Sequence, residues 1–125
     1  MPATSAPVLQ HADTNLDSAL SLKGAGVVEV LRLTRFVKGA GDVLRFIGTP
    51  ASSSSSAKSL EVSFLNSGSI PAPELDPVTG LIRMFFPADE RAEIEQMLRK
   101  KRRRFCYFWR SHDNALRQAW FVTSA

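Results

Sequence analysis

The residues best suited to chemistry lie together between Arg99 and Trp120. Arg99, Lys100, Lys101, Arg102, Arg103 and Arg104 form a run of six cations, and Phe105, Tyr107, Phe108 and Trp109 place four aromatics in the next five positions. Arg110, Arg117 and Trp120 carry the same mixture further along the chain. Cations neutralise phosphates and flat rings stack on bases, so the combination suits single-stranded nucleic acid. Guanidinium groups stack on rings as well as pairing with oxyanions, which strengthens the reading at positions 104, 110 and 117. The candidate contact set is therefore Arg99, Lys100, Lys101, Arg102, Arg103, Arg104, Tyr107, Trp109, Arg110, Arg117 and Trp120.

Each of these residues also has a plainer explanation. Cations at the end of a helix complement its dipole, and tryptophans on a hairpin are commonly core. Lys100 to Arg104 resembles a basic localisation cluster too, although a run welded between a helix and a strand makes a poor flexible peptide.

The distribution of charge favours an anionic partner. The net charge is +4: residues 1–87 hold seven Lys or Arg against seven Asp or Glu, whereas residues 88–125 hold nine against five. The whole excess sits in the last third of the chain, where it makes a local positive field. Nucleic acid and an acidic protein surface are the partners that fit.

Catalysis has little to stand on. His11 falls in a polar N-terminal stretch, His112 falls in a turn beside Asp113, and the single Cys106 sits among aromatics as a small hydrophobe would. Glu90, Glu93 and Glu95 read as a solvated helix face. There is no glycine-rich phosphate loop and no His/Cys spacing for a metal. A non-enzymatic binder without cofactor or metal is expected.

A lone cysteine points to a reducing compartment. No apolar run approaches the ~18–20 residues that span a bilayer. Met1 to Gln10 has neither a cationic start nor a long apolar core, so the cytoplasm is the default address, with nucleus and organelles open.

The elements that must position these residues follow from pattern. Residues 1–12 read as a flexible tail, and Asp13 caps a short helix that Gly24 ends. Val27 to Val37 is dense in β-branched residues, but Glu29 and Arg35 share a face with Leu31 and Leu33, which calls for a bulge or a strong twist. Gly39 to Asp42 turns the chain into a returning strand over 43–48. The serine-rich stretch 49–59 reads as a flexible loop, because serines bury too little apolar area to offset the entropy of ordering them.

Leu60, Val62 and Phe64 alternate as in a half-buried strand. Pro71 and Pro73 make an edge or loop, Pro77 and Gly80 a tight turn, and Leu81 to Phe86 another strand. Pro87 opens the main amphipathic helix, 87–103, with acids first and cations last and Ile94, Met97 and Leu98 facing inward. The strands 104–110 and 115–123 close the chain as a hairpin.

The expected fold is α+β: one domain over 13–125, with a single antiparallel sheet of five to six strands and the 87–103 helix packed on it. A helix ahead of the last two strands resembles the order of a five-stranded OB barrel. The expected function is a small binding module that contacts single-stranded DNA or RNA through the basic helix end and the aromatic hairpin. The alternative is an accessory or assembly subunit that docks on a larger protein through the same surface, with a homodimer through the terminal hairpin as one form.

Overall fold

The computed structural model describes residues 26–38, 41, 43–66, 68–100 and 103–124. The tail expected over 1–12 and the helix expected over 13–24 lie outside the described residues. Among the described residues seven strands run in chain order: β1 (Gly26–Lys38), β2 (Val43–Pro50), β3 (Ser59–Leu65), β4 (Glu74–Asp76), β5 (Leu81–Pro87), β6 (Arg103–Ser111) and β7 (Arg117–Ser124). One turn of 3-10 helix, Ala88–Glu90, leads into helix α1 (Arg91–Lys100) between β5 and β6.

The strands form one mixed sheet in the order β4-β5-β3-β2-β1-β6-β7. Two expectations are corrected here. The sheet has seven strands rather than five to six, and it is not wholly antiparallel, because β3 and β5 pair in parallel. Parallel neighbours need a crossover, and the chain makes it ahead of β4, where Pro71 and Pro73 withhold ladder donors. The helix is also shorter than 87–103: it ends at Lys100, and Arg103 already belongs to β6.

The bulge expected in β1 is present. Leu33 pairs with Gly48 but Arg35 pairs with Ile47, so Thr34 is the extra residue and the strand changes phase there. Glu29, Leu31 and Leu33 consequently stay on the inner face while Arg32, Thr34 and Arg35 are exposed. The turn before β5 forms as its residues dictate. Gly80 takes φ +73°, which a side chain resists, and its amide donates to the Asp76 carbonyl at 2.8 Å.

The sheet curls into an open barrel. Met84 of β5 and Cys106 of β6 touch through their sulfurs at 3.6 Å, and the Phe86 and Phe121 rings stack at 6.1 Å. Those strands stand far apart in the sheet order, so only a strong curl brings them together. The inner face carries Leu44, Phe46, Leu60, Val62, Ile82 and Phe108, all buried. Each such side chain contributes about 1.5–3 kcal/mol by leaving water.

Helix α1 crosses the end of the barrel where β1, β3 and β5 finish. Ile94 and Leu98 are wholly buried and Met97 partly so, the inner face its spacing predicts. Arg91 lies 5.7 Å from the Phe64 ring and Arg99 5.0 Å from the Phe36 ring, which pins both ends of the helix.

The serine tract lies at the opposite end and has definite partners. Glu29, buried beside Phe108, accepts from the amides of Ser56 at 2.7 Å and Ala57 at 3.1 Å. The Ser55 hydroxyl accepts from the Val30 amide at 2.7 Å, and the Ala51 amide donates to the Val30 carbonyl at 2.8 Å. A carboxylate and one strand thus satisfy backbone groups that the serines alone would leave to water.

Candidate functional site

The six-cation run is divided by the fold. Arg99 is exposed on α1 but engaged, with Nη1 3.0 Å from Glu95 and the guanidinium over Phe36. Lys101, Arg102 and the side chain of Lys100 lie outside the described residues. Arg103 opens β6 and is exposed, with no hydrogen bond or ion pair among the described residues.

Arg104 is half-buried and turns inward. Its Nη1 donates to the Leu98 carbonyl at 2.7 Å and its Nη2 to the Leu33 carbonyl at 3.5 Å, while Nε has no partner among the described residues. It satisfies a carbonyl left open in the last turn of α1 and ties that turn to β1.

The hairpin aromatics divide by strand alternation. Phe105, Tyr107 and Trp109 share the outer face of β6, and Tyr107 stacks on Trp120 of β7 at 5.6 Å with an interplanar angle of 14°. Trp109 and Trp120 are each 3% exposed, and neither indole N–H has a partner among the described residues. Gly26 accommodates Trp109, since a Cβ there would fall 2.6 Å from the indole nitrogen. Phe105 and Tyr107 remain half-exposed.

Arg110 and Arg117 lie on the other face. They are cross-strand partners on the concave side, a different surface from Arg103, Tyr107 and the tryptophans. Arg117 Nε donates to the Pro73 carbonyl at 2.8 Å, joining β7 to the segment ahead of β4.

Comparison with known proteins adds nothing to this geometry. No protein-family model matches the chain, and no curated protein or solved structure is significantly similar to it.

Two further cations belong with Arg103 and escaped the sequence reading. Arg32 and Arg35 project from the outer face of β1, exposed and without hydrogen bond or ion pair among the described residues. Arg32 stands directly opposite Phe105, and Arg103 follows on the same face of β6 two positions away. Arg45 on the next strand is by contrast neutralised by Glu61 at 2.8 Å. The signal in the sequence was the odd phase of β1, which marks Arg32 and Arg35 as outward once a bulge is placed at Thr34.

The residues considered for catalysis are separated. Cys106 is fully buried, and that burial pushes its thiol well above the usual range. Asp113 accepts from the Ser111 hydroxyl at 2.6 Å and the Ala115 amide at 3.0 Å, which hold its carboxyl below its ordinary value. These bonds build the hairpin turn in which His112 is exposed.

Proposed function

We propose that this chain is a small binding module that lays a single strand of DNA or RNA across the outer face of β1 and β6. The observation that carries this reading is the trio Arg32, Arg35 and Arg103, exposed on the outer face and without carboxylate partners among the described residues, with Arg32 directly opposite Phe105. Unneutralised guanidinium groups release counterions when they meet phosphates, and adjoining rings stack on bases without regard to sequence. Arg99, exposed near the end of α1 and paired with Glu95, is the other described cation of the basic run that reaches solvent. The curled sheet with a helix ahead of its last two strands supports an OB-like reading of the fold, a barrel type that carries oligonucleotides across its strands.

The testing experiment is a titration of labelled single strands at about 50 and about 200 mM salt. Binding that falls steeply with salt and varies little with sequence supports the reading. Absence of binding to any strand at the lower salt removes it.

A second reading rests on β7. This strand ends the sheet order, is eight residues long, and carries one charge, Arg117, and no proline. Edge strands are normally blunted by charges, prolines or bulges, so such an edge suits pairing with another chain. Docking on a protein partner, or a homodimer through β7, would use it. Sedimentation across a concentration series tests the homodimer.

A further inference from the structure

At the end of the barrel opposite α1, a cleft of about 670 Å³ lies between the β4–β5 edge of the sheet and the terminal hairpin. Leu75 and Leu81 line it from β4 and β5, Phe108 from β6, and Arg110 and Arg117 from the terminal hairpin. Arg110 and Arg117 face each other directly across β6 and β7. Like charges in that relation destabilise a sheet, and neither guanidinium has an ion-pair partner among the described residues.

Both are held by backbone carbonyls instead. Arg117 donates Nε to Pro73 at 2.8 Å and Nη1 to Asn114 at 2.9 Å, and Arg110 donates Nη1 to Ser111 at 3.2 Å. A guanidinium has five N–H donors, so each keeps donors uncommitted after these bonds. Carbonyls orient the two cations without cancelling their charge.

The carboxylates in the cleft have hydrogen-bond or ion-pair partners of their own, which orient them without cancelling the charge of Glu29 and Asp76. Glu29 holds the amides of Ser56 and Ala57. Asp76 accepts from the Val78 amide at 2.9 Å, and Glu74 lies 3.9 Å from Arg83. The lining thus carries three carboxylates, Glu29, Glu74 and Asp76, against three guanidinium groups, Arg83, Arg110 and Arg117, and among the described residues no carboxylate lies within ion-pair distance of Arg110 or Arg117.

We propose that this cleft is an oxyanion site that seats the phosphate or carboxylate head of a small organic acid between Arg110 and Arg117, with its apolar body against Leu75 and Leu81. Two guanidinium forks fixed beforehand match the planar or tetrahedral oxygens of such a head. Because the Pro73 contact already immobilises Arg117, little side-chain entropy is left to lose on binding. The anion also removes the repulsion between the two arginines. The site is independent of the outer face, since Arg110 and Arg103 project from opposite sides of the curled sheet's β6 relative to Tyr107 and Phe108.

The test uses the full chain at constant ionic strength, with phenyl phosphate, benzoate and inorganic phosphate titrated against chloride. At least one of these raises the melting temperature in a concentration-dependent way. Arg110→Gln weakens that ligand by about tenfold or more, as loss of a charge-assisted hydrogen bond implies, while Arg32→Gln leaves it unchanged. Preference for phenyl phosphate identifies a phosphate head, and preference for benzoate a carboxylate head. If Arg110→Gln does not fold, amide shifts in the parent decide: the ligand must move Arg110, Arg117 and Leu75. Failure of all three probes to bind overturns the proposal, as does binding that Arg32→Gln abolishes, or amide shifts confined to β1.

Discussion

The guanidinium of Arg104 donates to the carbonyl of Leu98 at 2.7 Å, so the last cation of the basic run is a fastening of the helix end. Its neighbour Arg103 is exposed and makes no such bond. Two adjacent arginines therefore serve different purposes. Arg104→Gln should lower stability by about 1–3 kcal/mol, because a carbonyl and the remaining side chain lose their partners. Arg103→Gln should leave the urea midpoint unchanged. Measuring both midpoints separates the structural cation from the surface one.

Leu98 is wholly buried between α1 and the barrel. Leu98→Ala should destabilise by about 2–4 kcal/mol, through lost burial and the cavity left behind. A melt that coincides with the parent's would show that α1 does not close the barrel.

Glu29 is the anchor of the serine tract. Glu29→Ala leaves the amides of Ser56 and Ala57 without their acceptor, and should lower stability by about 1–3 kcal/mol. Limited proteolysis should then cut within 51–58 faster than in the parent. Equal cleavage rates would mean that the tract is held by something other than this carboxylate.

Cys106 should be silent in the native protein. Its burial and raised thiol predict no reaction with a thiol reagent at mildly alkaline pH, and full reaction once denaturant is added. Rapid native labelling would place Cys106 at the surface and break the packing of β6 on Met84.

Much of this architecture is legible in local pattern. Arg35 in phase with Leu31 and Leu33 calls for a bulge or a strong twist, and the structure has the bulge, at Thr34. Gly80 marked a turn, and Ile94 and Leu98 marked the inner face of the helix. What escaped depends on partners distant in sequence. The three-residue β4 is too short to carry a periodicity, and the parallel pairing of β3 with β5 is a long-range choice that alternation does not encode. Composition reads the serines as a flexible loop and is silent about the carboxylate some 27 positions earlier that accepts from the Ser56 amide.

The surface behaves the same way. Arg32 and Arg35 look unremarkable beside a run of six cations; the register of β1 on β6 sets Arg32 opposite Phe105, and Arg35 follows beyond the bulge, opposite Ile47 of β2. Conversely, Trp109 and Trp120 are attractive stacking residues in sequence and are 3% exposed in the fold.

The most direct measurement is the salt dependence of single-strand affinity for the parent and for the combined Arg32→Gln, Arg35→Gln, Arg103→Gln variant. If these arginines neutralise phosphates, the variant should melt like the parent. Its slope of log K against log salt should be flatter by about 2, from roughly 0.7 for each of three contacts removed. A parent slope retained in the variant, or a parent that binds no strand at low salt, would contradict nucleic-acid binding through the outer face of β1 and β6.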